Sequence, residues 1–321
     1  MYKRIDIKIS FRCNNLCAFC AQGHKREMYA DRSAATVAAE LKKAYKNGIR
    51  GVVFTGGEPS LHPAILGLIR IARKTGFQSI QLQTNGRTLA YPDFCRALVE
   101  AGLTEMGPSL HGAKAATHDA LTGAKGSFTQ TVTGISNAVL TGLPVLTNTV
   151  ITSDNYKELP AIAALLIKLG VRQYQFAFIH IVGSAKENKQ RLVPRKTLVM
   201  PYLKKALDLG IKRGIPCYTE AIPFCLMKGY ETCVAESIIP AGPVVDADRF
   251  IKDYGAYRRD EGKVRGPLCP RCKYSGACEG PWREYPELYG WNEFKPVKDP
   301  VKRKTDRGIG KGTENRTKTK G

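Results

Sequence analysis

No run of about 18 apolar residues occurs anywhere in this 321-residue chain, so no segment is expected to cross a membrane as a helix. The opening MYKRIDIKISF lacks the apolar stretch and small-residue cleavage site of a secretory signal. Composition excludes collagen, coiled coil and wholesale disorder, since 43% of the residues are apolar and 24% charged. Internal repeats are missing beyond a simple strand and helix alternation. Acidic residues are scarce: 28 against 50 Lys and Arg, a formal charge of +22. That imbalance suits an acidic partner, whether nucleic acid, an acidic peptide or a phosphorylated metabolite, or else a merely well-solvated surface. The expectation is a globular cytoplasmic protein with no membrane association.

Cysteine, by contrast, is plentiful at ten residues. Without a secretion signal these are read as thiols in a reducing compartment, where grouped cysteines more often bind metal than pair with one another. They fall into two groups: Cys13, Cys17 and Cys20 near one end, and Cys269, Cys272 and Cys278 near the other. Cys95, Cys217, Cys225 and Cys233 lie between, and Cys95 reads as a small buried hydrophobe.

Short apolar runs at Arg4–Ser10, Gly51–Thr55, Ser79–Gln83, Glu105–Leu110, Val145–Ile151 and Gln173–Ile179 are predicted strands. Helical patterns at Ala35–Asn47, Ala64–Thr75, Asp93–Ala101, Phe128–Leu140 and Tyr156–Leu169 separate them. A glycine just past each helical pattern (Gly48, Gly76, Gly102, Gly142, Gly170) marks its C-terminus. Such repetition predicts an α/β fold with a parallel sheet, a partial (β/α)6 TIM-like barrel in preference to an open doubly wound sheet, with a possible seventh strand at Pro216–Glu220. After Pro223 the helical period fades and Pro, Gly, Tyr and Cys become frequent. The domains expected are therefore 1–221, a loop-rich extension over 222–297, and a basic disordered tail over 298–321. Residues 301–321 of that tail hold eight Lys and Arg against Asp306 and Glu314, which leaves +16 on the body.

Three thiolates spaced as in Cys13-x3-Cys17-x2-Cys20 can bind three irons of a [4Fe–4S] cluster and leave the fourth open. A zinc site completed by His24 is the alternative. Polar clusters follow the next strands: Gly56-Gly57-Glu58-Pro59, then Thr84-Asn85-Gly86, then Ser109-Leu110-His111, with Asn148 in the fifth strand. In a parallel barrel these positions gather at the C-terminal ends of the strands, where reactive groups collect. Taken one at a time, each is also explained as a turn or a helix cap.

The triplet, with Phe19 just before its last cysteine, resembles the radical S-adenosylmethionine (radical SAM) enzymes, and Gly56–Pro59 is similar to that family's Gly-Gly-Glu motif. The resemblance implies that Cys13, Cys17 and Cys20 hold the catalytic cluster. It further implies that Phe19, Gly56, Gly57, Glu58, Pro59, Asn85, Ser109 and Asn148 contact S-adenosylmethionine. Reductive cleavage of that cofactor to a 5′-deoxyadenosyl radical, which abstracts hydrogen from a substrate, is the implied activity, with flavodoxin or ferredoxin as electron donor. No side-chain base is needed for that step. His111 and His118 are candidates for substrate contact or, more simply, for loop capping.

The run Cys269-x2-Cys272-x5-Cys278 resembles the SPASM and twitch extensions, which implies a second, auxiliary [4Fe–4S] cluster. The match is partial, because Trp282 stands where a full SPASM segment places another cysteine. Cys225 is the expected fourth ligand, with Cys233 and Cys217 next, and a four-cysteine zinc is the alternative. Trp282 and Trp291 are expected to seal the extension against water. The implied substrate is a peptide or a small metabolite. The chain begins about a dozen residues before Cys13, which argues against a preceding peptide-recognition domain. An RNA substrate, or a zinc-bearing nucleic-acid-binding protein, are the competing functions.

Overall fold

The computed structural model describes residues 3–240 and 242–298. Seven parallel strands follow one another with helices between them. β1 (Arg4–Ser10), β2 (Gly51–Gly56), β3 (Ser79–Thr84) and β4 (Glu105–Pro108) pair in sequence, as do β5 (Leu146–Ile151), β6 (Gln173–Phe178) and β7 (Cys217–Glu220). The two groups meet through bridges Met106↔Val145 and Ser109↔Asn148. The strands curve round a lumen, because one cavity is lined by residues of β1, β3, β4, β5, β6 and β7 together.

Alternation along each strand sets which side faces the helices. Ile5, Ile7 and Ile9 of β1, Ile80 and Leu82 of β3, and Tyr174, Phe176 and Phe178 of β6 are buried in the apolar layer. That layer is filled from the other side by α1 (Ala34–Lys46), α2 (Ile65–Thr75), α3 (Pro92–Ala101), α5 (Ser127–Leu140) and α6 (Leu159–Leu169), with α4 (Ala115–Thr122) between α3 and α5. Gly76 and Gly102 close α2 and α3 at φ +103°, a conformation that favours glycine. The α/β class and its parallel pairing agree with the sequence expectation. One long helix, Lys196–Ile211, was not expected. Pro201 lies inside it and breaks the pattern that would otherwise announce a helix.

Beyond β7 regular elements are short, and two other devices hold the chain. β8 (Val244–Val245) adds in parallel to the edge of β1, and β9 (Phe250–Ile251) pairs with it. A buried ion network lies alongside: Arg258 donates to Glu279 at 2.6 and 2.7 Å, and Lys263 reaches Glu279 at 3.1 Å and also Glu236. The predicted tail lies outside the described residues, apart from Lys298.

Asp246, in the β8–β9 turn, clamps this segment to the parallel sheet. Its carboxylate accepts from Lys8 Nζ at 2.6 Å and Lys25 Nζ at 2.7 Å, and Arg32 donates to its backbone oxygen. Burial pulls its pKa upward, but the bonds from Lys25 and Lys8 outweigh that and hold it at about 2. Asp246→Ala is expected to lower stability by about 3–5 kcal/mol in urea unfolding, since the largely buried Lys8 ammonium loses its partner and Lys25 keeps only Asp248 at 3.7 Å. The clamp's contribution is full above pH ~4, the unfolded carboxylate's range, and fades as pH falls through about 2. A wild-type curve with no loss of stability below pH ~4 would contradict this.

Candidate active site

The loop after β1 carries the cysteine triplet and is fixed by backbone bonds to three other elements. Leu16 and Ala18 donate to Thr122 and Leu121 at the end of α4, at 2.7 and 3.0 Å. Ser184 of the β6 loop donates to the Cys20 carbonyl at 2.9 Å. The Cys17 thiol is pushed up to about 12 by burial and then by the charges of Cys20 and Cys13, and burial raises Cys13 as well. Thiols raised by burial, such as those of Cys13 and Cys17, become thiolates readily only where cations compensate them, an environment suited to bound metal.

The Gly-Gly-Glu-Pro loop is stitched directly to this one. Gly57 and Glu58 donate their amides to the Ser10 and Arg12 carbonyls, each at 2.7 Å. Gly56 sits at φ +131°, and a Cβ on Gly57 would lie 2.5 Å from the Phe11 oxygen, so only glycine allows the two loops to approach this closely. Gly57→Ala is therefore expected to displace the Cys13 segment and to lower stability in urea unfolding, since a Cβ there meets backbone of the neighbouring loop. An unfolding midpoint equal to that of the wild type would contradict the role of this contact.

Glu58 ties neighbouring strand ends together. It is fully buried, and its carboxylate accepts from Ser60 N at 3.0 Å, Thr84 Oγ1 at 2.7 Å and Asn85 N at 2.6 Å. Burial raises its pKa against those bonds. Its side chain thus joins the ends of β2 and β3, and Pro59 begins the short turn that follows. Asn85, placed by that joint, directs its amide nitrogen to Asn14 Oδ1 at 2.6 Å and to Cys13 Sγ at 3.8 Å. Arg87 was not singled out from sequence. It pins the same loop, donating to Asn15 Oδ1 at 2.9 Å, to the Asn14 carbonyl, and to Gln130 Oε1 at 2.6 Å. Its only sequence signal was adjacency to Asn85-Gly86.

Ser109 and Asn148 are paired across β4 and β5 and line the lumen together. Phe19 is buried, with its ring 4.6 Å from that of His111, edge on. Both histidines are buried with Nδ1 bonded to backbone, and His118 Nε2 is buried without a partner. His111 Nδ1 accepts from Val150 N at 3.2 Å and His118 Nδ1 accepts from His111 N at 3.1 Å, while burial lowers them to about 3 and about 4. His24 is exposed, and among the described residues no three or more His, Cys, Asp or Glu side chains are grouped to hold a single metal ion.

In the extension, Cys225, Cys269, Cys272 and Cys278 line one apolar cavity together with Trp291 and Phe294. Burial, then the charges of Cys278, Cys272 and Cys269, push Cys225 to about 12. The reserve candidates Cys217 and Cys233 do not line this cavity. They are buried beside each other against Tyr174, in contact that β7 and the following turn impose. Trp291 covers the cysteines as expected. Trp282 instead stacks on His180 at 3.9 Å, just beyond β6, and donates to the Phe178 carbonyl at 3.3 Å. Cys95 is buried in the core, as its setting predicted.

Residues 7–166 match the family model described as Radical SAM superfamily. A probable GTP 3′,8-cyclase of Methanopyrus kandleri is 34% identical over 168 residues, which are 52% of this chain and 53% of that protein. The chain thus spans about half the length of such curated relatives. Among solved structures, native anSMEcpe with bound AdoMet superposes with a TM-score of 0.64 at 16% identity, over 87% of this chain and 89% of that one. Streptococcus suis SuiB bound to its precursor peptide SuiA gives 0.59 at 19% identity, over 74% and 53%.

Proposed function

Given that the chain belongs to the radical SAM superfamily, we propose that Cys13, Cys17 and Cys20 hold its [4Fe–4S] cluster, with S-adenosylmethionine on the fourth iron. We extend this to an auxiliary [4Fe–4S] cluster on Cys225, Cys269, Cys272 and Cys278, and to a division of the chain into units 1–221 and 222–297. When bound, the first pair supplies one-electron cleavage of S-adenosylmethionine to methionine and a 5′-deoxyadenosyl radical, which takes hydrogen from the substrate. The observation that carries this reading is the joining of the cysteine loop, the Gly56–Pro59 loop and the Asn85 turn through Glu58 and Gly57. Such mutual fixing positions cofactor groups against rigid strand ends, as parallel α/β sites require.

The chain's own residues have separable tasks. Glu58 positions Asn85, which donates toward the Cys13 sulfur and favours its thiolate. Arg87 holds the peptide after Cys13 in place. Gly56 and Gly57 offer backbone carbonyls to the methionine amino group, and Ser109 and Asn148 serve the nucleoside and carboxylate. Phe19, backed by His111, supplies an apolar wall that excludes water. Four cysteines in one cavity, rather than a pair in each of two places, support the auxiliary cluster, and the cover of Trp291 and Phe294 shields it.

Peptide modification is supported by the likeness to SuiB, and a nucleotide or small-metabolite substrate by the named activity of the Methanopyrus relative. The excess of positive charge suits an acidic reductant of the flavodoxin or ferredoxin type. The decisive test is anaerobic incubation of reconstituted protein with dithionite and S-adenosylmethionine. Formation of 5′-deoxyadenosine is the expected outcome, and protein with a full iron load that forms none would refute the assignment.

A further inference from the structure

The lumen lined by the strands departs from the usual interior of a parallel barrel, which is packed with Val, Ile and Leu. Here the inward positions of the strand pattern are Asp6, Gln81, Gln83, Gln173, Gln175 and Glu220, and they surround a cavity of about 470 Å³. That size is typical of small-ligand pockets, about 300–1,000 Å³. Pro240, Gly242 and Tyr254 wall it toward the N-terminal ends of the strands, while Ser109 and Asn148 line it toward the cysteine face.

Its unmet polar demand is for hydrogen-bond donors. Gln81 is 5% exposed; its nitrogen donates to Glu105 Oε2 at 3.2 Å, which turns Oε1 away with no partner. Asn148 Oδ1 is likewise buried and unpartnered. Glu220 accepts only one hydrogen bond from a lining residue, Gln175 Nε2 at 3.0 Å. The cation among the described residues lining the cavity is Arg4, already paired with Asp6 at 3.2 Å. Buried acceptors left without donors are costly, and a phosphate brought here would add acceptors and negative charge where no free cation waits.

We propose that this lumen receives an N–H donor group of the substrate, an amine, guanidine or carboxamide, and excludes phosphate. The selecting residues are Gln81 and Glu220. The proposal rests on the radical-generating site assigned above, since it places that donor group below the cofactor wall. A nucleoside triphosphate would have to keep its phosphates outside.

Ligand-observed NMR on the full, anaerobically reconstituted chain with S-adenosylmethionine present tests this. The probes are agmatine, the capped peptide N-acetyl-glycyl-arginyl-glycinamide, and inorganic pyrophosphate. Both guanidinium probes are expected to bind saturably and about tenfold more weakly to Gln81→Leu and to Glu220→Gln, the loss of one charge-assisted or buried hydrogen bond. Glu220→Gln keeps an acceptor for Gln175 and guards against a folding artefact at Gln81. Tighter binding of the capped peptide would identify a peptide as the source of the group, and tighter binding of agmatine a free amine. Absence of binding, indifference to both variants, or displacement by pyrophosphate would overturn the proposal. Formation of 5′-deoxyadenosine is measured on the same samples. Its absence counts against the radical site alone, whereas its presence without probe binding counts against the lumen alone.

Discussion

Replacing Cys17 with alanine should abolish reductive formation of 5′-deoxyadenosine. The expected loss exceeds the 10- to 100-fold, roughly, that follows from disturbing an outer partner of a metal ligand, because the proposed assignment makes Cys17 a ligand itself. The backbone carbonyl of Cys17 accepts from Cys20 N at 3.1 Å, and burial with its two neighbours raises its thiol to about 12. Such a thiol has little reason to ionise except against iron. The substitution leaves the loop's bonds to α4 and to the β6 loop intact, so the protein should remain folded, with the auxiliary site still loaded. Iron should fall from about eight to about four per chain, the content of one [4Fe–4S] cluster. A Cys17→Ala protein that still generated 5′-deoxyadenosine would remove the triplet from the mechanism.

Cys225→Ala should give the opposite division. On the proposed assignment the auxiliary cluster would lose a ligand from the cavity that Cys269, Cys272 and Cys278 also line, and iron should again drop toward about four. Cleavage of S-adenosylmethionine in the absence of substrate should persist, since nothing in the Cys13–Cys20 loop depends on Cys225. Cys233→Ala supplies the control. That thiol is buried beside Cys217 in β7, away from the cavity, and its loss should leave both iron content and the spectrum unchanged. Loss of iron from Cys233→Ala and not from Cys225→Ala would reverse the ligand assignment.

Much of the candidate site could be read from local spacing. The triplet lies within eight residues, and Gly56–Pro59, Asn85 and Ser109 each follow a recognisable strand, so their gathering on one face follows from parallel pairing. What each does was less legible. The resemblance implies a cofactor contact for Glu58; that three hydrogen-bond donors from its own turn and from the end of β3 also meet its carboxylate is visible only once β3 lies beside β2. Arg87 carried no motif of its own, because its partners Asn14, Asn15 and Gln130 are far away along the chain. The polar lumen did have a signal, the alternation in Ser79-Ile-Gln-Leu-Gln and Gln173-Tyr-Gln-Phe. Strand periodicity alone does not say whether the polar side faces solvent or an enclosed space.

By itself the amino-acid sequence determined the α/β alternation, the grouping of cysteines at two ends and the family resemblance, because each depends on residues close along the chain. Only the tertiary structure decided that Cys225 rather than Cys233 meets Cys269, Cys272 and Cys278, that Trp282 turns to His180 while Trp291 covers the thiols, and that the inner faces of six strands enclose acceptors awaiting a donor. These are contacts between segments tens to hundreds of residues apart, and spacing along a chain places no constraint on which of several equivalent side chains the folded path brings within reach.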